Sequence, residues 1–521
     1  MRLRELIDGL DVRPVTPDCL DVRICDLTED SRTALPGSLF VARRGTRDRG
    51  SDFVMEAIEA GAVAVLADER DEALELPDGI ALIVAADPAL AAASIAERFF
   101  GYPSHSLTCI GVTGTNGKTT VAHLTHQILN AARLPCGMIG TVWIDDGVEI
   151  ARSTLTTPPA IELSHALANM VEAERRCVVL EASSHALEQG RLAAIAFDIA
   201  IFTNLSGDHL DYHKTLDAYA SAKRRLFESL GPSGVAIVNI DDPASETMLS
   251  CDPPRVLRCS MAGGPDADCR ATVHGESITG ADATFEGSWG SFRVRLPLIG
   301  RHNVFNALQA VAAAHEAGAH LKSIRSALSK AKPAPGRLEH VNRAPAEAEG
   351  VAVLVDYAHT DDALRCALSA LAPLKRGSRS RLHVVFGCGG DRDRSKRPRM
   401  MAAAAALADV VTVTNDNPRT ESPAAIIRDV LGGLPDDASD RIRIQPDRRR
   451  AIFDAVADAQ AGDIILIAGK GHETEQLTSD GRGGIRSTPL DDRLVAHEAL
   501  VERFGAGETS ARGVADAGEE E

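Results

Sequence analysis

A chain of 521 residues is too long for one hydrophobic core and predicts about three domains. With 44% apolar and 25% charged residues the composition is that of an ordinary globular protein, and a formal charge of −18, from 56 basic against 74 acidic side chains, argues against a nucleic-acid partner. The 10 cysteines form no Cys-x-x-Cys pair, and several lie in apolar runs such as Cys177-Val178-Val179-Leu180, so they read as small core hydrophobes of a reducing compartment. Met1-Arg2-Leu3-Arg4 opens no apolar signal core and no segment approaches about 18 uninterrupted apolar residues, so a cytoplasmic location without membrane insertion is expected.

Residues 1–106 alternate short strands (38–42, 62–68, 81–86) with helices (53–60, 89–100), and Gly101-Tyr102-Pro103-Ser104-His105-Ser106 reads as a linker. A buried strand at 107–112 then leads into Gly114-Thr115-Asn116-Gly117-Lys118-Thr119-Thr120 and a helix over 120–129. This turn has the chemistry of a triphosphate cradle. Its glycines let backbone N–H groups close around phosphate oxygens, Lys118 reaches the terminal phosphates, and the Thr119 hydroxyl suits Mg²⁺ at a helix N-terminus. The general pattern has a glycine where this chain has Val112, so the loop belongs to a subtype. Buried strands follow at 177–181, 199–204 and 235–239, with a helix over 216–230 between the last two. Lys332-Pro333-Ala334-Pro335-Gly336-Arg337 marks a second boundary, beyond which strands at 351–356, 382–386, 410–414, 442–445 and 464–468 alternate with helical patterns. The expected fold is α/β in three domains: a smaller N-terminal one (1–106), a central ATPase-like parallel sheet (107–334) and a C-terminal doubly wound, Rossmann-like sheet (335–505). Residues 506–521 are small and acidic and read as a disordered tail.

Ligands of such sheets bind beyond the carboxyl ends of the strands, where this chain places its polar clusters. Glu181 ends an apolar strand and suits a Mg²⁺ ligand. Asn204-Leu205-Ser206-Gly207-Asp208-His209-Leu210-Asp211-Tyr212-His213 also follows a strand. The spacing of His209 and His213 is that of a zinc helix, but the glutamate of His-Glu-x-x-His is missing, and His209 alone is the better metal candidate. Lys223 sits among small residues of a helix and reads first as a solvated lysine, although a desolvated amine could take up CO₂ as a carbamate. In the third unit Arg392, the Asp416-Asn417-Pro418-Arg419 turn and Gly469-Lys470-Gly471-His472-Glu473 each follow an apolar strand. They converge on one rim, where Arg392 and Arg419 can fork onto carboxylates and Glu473 can pair with an ammonium, as a zwitterionic ligand requires.

Read together with Glu181-Ala182-Ser183-Ser184-His185, Gly300-Arg301-His302-Asn303-Val304-Phe305-Asn306 and Asp356-Tyr357-Ala358-His359, these motifs resemble the ATP-dependent Mur ligases of peptidoglycan synthesis, over nearly the whole chain. Within the family they are most similar to the members that add meso-2,6-diaminopimelate to UDP-N-acetylmuramoyl-L-alanyl-D-glutamate. The resemblance implies an N-terminal domain for the UDP end, a central ATPase, and a C-terminal domain bringing the amino acid, in a monomer using Mg²⁺ and ATP. Gly114 to Thr120, Asn303, Asn306, Arg337 and Asp356 correspond to the nucleotide site. Ser31, Thr46, Arg47, Asp48, Thr156, Thr157, Ser183, Gln189 and Arg191 correspond to the UDP-muramoyl-dipeptide site, with Leu155 where the family often has asparagine. Thr119, Glu181, His209 and a carbamylated Lys223 correspond to the metal site, and Lys118, His209 and Lys223 to the catalytic residues. Arg392, Asp416, Asn417, Pro418, Arg419, Gly469 and Glu473 correspond to the diaminopimelate site. Asp361 stands where the family usually has proline. Relatives that add lysine lack the arginine of the Asp-Asn-Pro-Arg turn, which makes Arg419 the expected specificity residue; the Asp30-Ser31-Arg32 domain argues against a folylpolyglutamate-type synthetase. A nucleotide-regulated binding protein would not need two metal shells.

Overall fold

The computed structural model describes residues 1–45, 49–341, 350–375, 377, 379–435 and 439–505. The N-terminal sheet has the order Arg13–Pro14, Ala81–Ala85, Ala64–Asp68, Ser38–Ala42, Asp26–Thr28, with every pairing parallel except the first. Strands such as Ala81-Leu82-Ile83-Val84-Ala85 are apolar on both faces because both are covered: Leu3–Ile7 and Pro88–Phe99 pack on one side, Val54–Glu59 on the other.

The segment 101–106 is a packed joint and not a free linker. Tyr102 turns the chain at φ 58°, Pro103–Ser106 forms a 3₁₀ turn, and the buried Glu97 carboxylate accepts from the Ser104 N–H (2.8 Å) and the Ser164 hydroxyl (3.2 Å). A carboxylate drawn out of water needs such partners, and here they tie the first domain to helix Ala160–Glu172 of the second.

The central sheet runs in the order Gly290–Leu296, Gly280–Gly287, Cys269–Ser277, Arg255–Ser260, Leu230–Asn239, Phe197–Phe202, Thr108–Thr113, Cys177–Glu181, Cys136–Ile139, Trp143–Asp145, Ile150–Arg152. Its middle strands are parallel, and each edge ends in an antiparallel pair absent from the sequence-based expectation. Thr108–Thr113 lies between Phe197–Phe202 and Cys177–Glu181, so three polar strand ends meet beside the phosphate turn. Helix Lys118–Ala131 packs its buried face, Val121, Leu124 and Ile128, against helix Arg301–Glu316 and the sheet.

In the C-terminal sheet the order is Glu339–His340, Ala352–Asp356, Ile464–Ala468, Leu382–Phe386, Val410–Val413, Ile442–Ile444, parallel after the first strand. Helices Asp361–Leu371, Lys396–Leu407 and Pro423–Leu431 cover one face and Arg448–Asp458 with Asp492–Phe504 the other, the doubly wound arrangement expected. A hairpin, Glu475–Ser479 with Ile485–Pro489, follows Glu473. No described helix is long and apolar enough to cross a membrane.

Candidate active site

The phosphate turn is held by its neighbours before any ligand arrives. Gly114 (φ 147°) and Gly117 (φ 87°) adopt backbone conformations that side chains avoid, and a Cβ on Gly117 would stand 2.6 Å from Asn306 Oδ1. Asn204 grips the loop twice, Oδ1 accepting from the Asn116 N–H (2.9 Å) and Nδ2 donating to Asn116 O (3.0 Å). Lys118 Nζ donates to the carbonyls of Gly114 and Thr115, both at 2.9 Å, and burial lowers its pKa. Val112 explains the loop's subtype: it is a buried strand residue paired with Glu181 and Ile201, and the turn begins only after it.

Glu181 is fully buried at the end of its strand. One oxygen accepts from the Thr141 N–H (2.8 Å) and the other from the hydroxyls of Thr119 (2.9 Å) and Thr141 (3.0 Å). It makes no ion pair among the described residues, so a buried carboxylate faces the phosphate turn with hydroxyls as its company. Oxygen donors of this kind fit Mg²⁺, although the described residues hold no group of three or more His, Cys, Asp or Glu side chains that could bind a metal by themselves.

Lys223 is the second cation of the cradle, and the first reading of it as a solvated lysine is corrected: it is 1% exposed. Its Nζ donates to Gly114 O (2.7 Å) and stands 4.2 Å from the centre of the Tyr219 ring. Burial, with Lys118 nearby, pulls its pKa well below the ordinary lysine value. His209 precedes the short helix Leu210–His213 at φ 55° and lines the same cavity, its ring 3.6 Å from Asp208 Oδ2, and burial lowers its pKa to about 4. His213 turns away, to Ser184 Oγ (2.9 Å) and Glu188 (3.1 Å), so the pair does not form a zinc helix.

On the other flank of Glu181, Thr157 donates to Glu181 O (2.6 Å) and Ser183 N donates to Thr157 Oγ1 (3.1 Å). Arg191 donates to Thr157 O (2.7 Å) and, through Nε and Nη2, to Gln189 Oε1. Thr156 completes this wall through Thr141 Oγ1 at 3.1 Å, while Leu155 is exposed. Arg191 also senses the charges of Glu29 and Arg43, which pair across the N-terminal domain, so that domain faces this wall. Ser31 is buried and donates to Glu56 (3.0 Å); Thr46, Arg47 and Asp48 lie outside the described residues.

The C-terminal domain closes the cavity. Arg337 Nη2 donates to Thr119 Oγ1 (3.1 Å) with its guanidinium 4.5 Å over the Tyr357 ring, and Asn116 Nδ2 donates to Asp362 (2.9 Å). Asp356 accepts from the N–H groups of Leu338 (2.7 Å) and Ala358 (2.8 Å), and burial raises its pKa. Asn303, donating to Ile299 O, and Asn306, donating to Asn303 Oδ1, face it across a cavity of about 240 Å³ lined by Thr115, Lys118, Glu181 and His209 as well. On the far side, Arg152 of the last central strand donates to Thr474 Oγ1 (2.6 Å), beside Glu473.

The expected convergence of three strand ends on the third rim is present, since Ile464–Ala468, Leu382–Phe386 and Val410–Val413 are adjacent. Arg419 takes φ 51°, donates its N–H to Leu477 O (3.0 Å) and its Nη1 to Gly390 O (2.8 Å), and lies near Arg392. Burial and then the Arg392 charge lower its pKa, and neither arginine makes an ion pair among the described residues. Two unpaired guanidiniums side by side are an arrangement that an anion would relieve. Gly469 (φ 116°) passes so close to Asp416 that a Cβ would meet Oδ2 at 2.7 Å. Glu473 already has an internal cation, Lys470 Nζ at 3.1 Å, besides the Asn417 amide at 2.7 Å.

Three family models cover most of this chain: Mur ligase family, catalytic domain, over residues 24–99; Mur ligase middle domain over 112–314; and Mur ligase, glutamate ligase domain over 336–471. The chain belongs to the Mur ligase family. It is 41% identical over 509 residues to the UDP-N-acetylmuramoyl-L-alanyl-D-glutamate–2,6-diaminopimelate ligase of Gloeobacter violaceus (97% of this chain, 99% of the relative). It is 40% identical over 490 residues to the same ligase of Geobacillus thermodenitrificans (92% and 95%). A solved structure of such a ligase is similar at TM-score 0.65 and 33% identity, covering 96% of this chain and 99% of that one. MurF from Acinetobacter baumannii, at TM-score 0.62 and 21% identity over 88% of this chain and 96% of its own, shares the fold.

Several residues that hold the side chains and turns of this candidate site in place carry no sequence signal of their own. Thr141, which holds both oxygens of Glu181, lies in a short loop with no motif. Lys470 sits in a Gly-Lys-Gly turn of the kind that is usually solvated, yet its side chain is completely buried. Asn204 was within a recognised motif, but only the fold shows that it clamps the phosphate turn.

Proposed function

We propose that this Mur ligase joins meso-2,6-diaminopimelate to the D-glutamyl side-chain carboxylate of UDP-N-acetylmuramoyl-L-alanyl-D-glutamate, using ATP, in the synthesis of peptidoglycan precursors in the cytoplasm. A free carboxylate is a poor acyl donor because its leaving group would be oxide. The carboxylate oxygen therefore attacks the γ-phosphorus of ATP, breaking the bond to ADP and giving an acyl phosphate. The amine of diaminopimelate then forms a bond to the acyl carbon, phosphate leaves, and the nitrogen loses a proton. The chain contributes positioning and electrostatics, with no covalent enzyme intermediate.

Lys118 stabilises charge on the transferring phosphoryl group, and Arg337, already bonded to Thr119, brings a further cation from the closing domain. Thr119, Glu181, His209 and a carbamylated Lys223 would hold Mg²⁺, which when bound neutralises phosphate charge. The lowered pKa of Lys223 favours the carbamate: a neutral amine attacks CO₂, the new N–C bond forms, a proton is released, and the buried group becomes an oxygen ligand. Thr156, Thr157, Ser183, Gln189 and Arg191 receive the muramoyl dipeptide, and Ser31 with Thr46 to Asp48 the uridine nucleotide. Asn303, Asn306 and Asp356 surround the nucleotide. The enzyme acts as a monomer, and domain closure over the cavity excludes water.

The observation that carries the choice of amino acid is the unpaired couple Arg392 and Arg419. Diaminopimelate differs from lysine by one carboxylate, and a forked guanidinium rewards that group while leaving the lysine cation unpaired. Phosphate release from ATP and the UDP-muramoyl dipeptide, measured with meso-diaminopimelate or L-lysine in turn, tests the reading. Stimulation by diaminopimelate is expected. No stimulation by either amino acid sinks the ligase assignment, and a preference for lysine sinks the role of Arg419.

A further inference from the structure

A lysine ammonium has three N–H donors and no acceptor. In Lys470 all three are taken inside the protein, by Asn417 Oδ1 (3.1 Å), Glu473 Oε2 (3.1 Å) and Glu475 O (2.6 Å), and the side chain is 0% exposed. No donor is left for a substrate. Lys470 must act through the groups that it holds.

Those groups form a closed set. Asn417 Oδ1 accepts from Lys470 and from the Leu477 N–H (3.0 Å), which fixes the orientation of the amide, and its Nδ2 then donates to Glu473 Oε2 at 2.7 Å. Two donors on Oε2 leave Oε1 with no hydrogen bond among the described residues. The Glu473 side chain is 34% exposed, on the rim that carries Arg392 and Arg419. Across that rim Arg392, Arg419 and Lys470 set three positive charges against the three negative ones of Asp391, Asp416 and Glu473. Without Lys470 the negative charges outnumber the positive ones and Glu473 loses its paired cation, so the rim would attract any cation.

We infer that Lys470 is a positioning residue for selection of the amino acid: it aims Oε1 of Glu473 at the incoming ammonium and, by sharing that carboxylate's charge, keeps the site favourable for a ligand with two carboxylates over one with a surplus cation. The inference rests on the reading of this rim as the diaminopimelate site.

The test is a double-mutant cycle on the full-length enzyme. Lys470→Met keeps the apolar stem and removes every donor; Lys470→Gln retains donors without charge and serves if the methionine variant does not accumulate. We expect the KM for diaminopimelate to rise by about 30-fold, with the KM for ATP and for the UDP-muramoyl dipeptide within about two-fold, because the partly exposed Glu473 carboxylate loses its buried charged donor at one substrate's site only. The preference for diaminopimelate over lysine should narrow by roughly ten-fold. In a Glu473→Gln background the same substitution should cost less than about three-fold more, since the carboxylate to be aimed is gone. Equal losses in both backgrounds, or a parallel rise in the KM for ATP, would make Lys470 a stabilising residue only and overturn the inference. A wild-type enzyme without diaminopimelate-stimulated turnover would overturn the reading of the site and the inference with it; wild-type turnover with unaffected variants overturns the inference alone.

Discussion

Truncation of Arg419 to alanine should separate two amino acids that differ by a single carboxylate. The guanidinium is half-buried, bonded to Gly390 O at 2.8 Å, and set beside Arg392 without a carboxylate partner among the described residues. Removing the guanidinium from a close charge pair with the second carboxylate of the bound diaminopimelate costs about 2–5 kcal/mol, and half-exposure puts Arg419 at the lower end, about 2–3 kcal/mol. At tenfold per 1.4 kcal/mol this is a loss of roughly 30- to 150-fold in kcat/KM for meso-diaminopimelate. For L-lysine no second carboxylate exists to be lost, so kcat/KM should hold or rise. The left-handed backbone at φ 51° penalises alanine and arginine alike, so strain does not confound the comparison. Arg419→Lys keeps the charge without the fork and should fall between. The assay is continuous phosphate release at saturating ATP and UDP-muramoyl dipeptide. Equal losses for both amino acids would refute the reasoning, because they would mean that Arg419 supports the fold of the rim and does not read the ligand.

Lys223→Ala should abolish phosphate release, and short-chain carboxylic acids added to the assay should restore part of it by replacing the carbamate oxygens; no recovery would count against the modified lysine. Glu181→Gln keeps the size of the side chain but halves its oxygen acceptors, and should lower kcat by about 100-fold or more with a raised Mg²⁺ requirement, read from a metal titration. The fully buried Arg448–Asp492 pair (2.6 Å) also braces the carbonyls of Asn415 and Ala468, so Asp492→Asn should destabilise the C-terminal domain by about 3–5 kcal/mol and lower its melting temperature by roughly 10 °C. Burial depresses His123, His302 and His359 from 6.5 to about 4. The unfolded chain takes up these protons first, so stability should be full above pH 6.5 and decline as pH falls towards 4. A melting temperature unchanged between pH 7 and pH 5 would contradict this.

The parallel strands were legible in the sequence because burial on both faces leaves continuous apolar runs: Cys177–Glu181, Leu382–Phe386 and Ile464–Ala468 lie where their residues predict. The antiparallel edges were not, because Trp143–Asp145 and Ile150–Arg152 are three residues each and Cys269–Ser277 mixes buried with exposed positions. At the site, the phosphate turn and its lysine follow from local chemistry alone. Lys223 shows where that stops: neighbouring small residues cannot say whether an amine is in water, and only Gly114 O and the Tyr219 ring reveal that it is not. The same holds for Lys470 and for Glu473, whose partner was expected to be a ligand's ammonium and proves in part to be a lysine three residues away.

The central claim is that ATP activates the D-glutamyl carboxylate by phosphorylation, so that the amine of diaminopimelate attacks an acyl phosphate. A UDP-muramoyl dipeptide carrying heavy oxygen in that carboxylate tests this directly, with mass analysis of the phosphate released during ligation to meso-diaminopimelate. With both carboxylate oxygens labelled, the account predicts one heavy oxygen in each inorganic phosphate and the other retained in the carbonyl of the new amide. Phosphate without the label, formed alongside a ligated product, would contradict it.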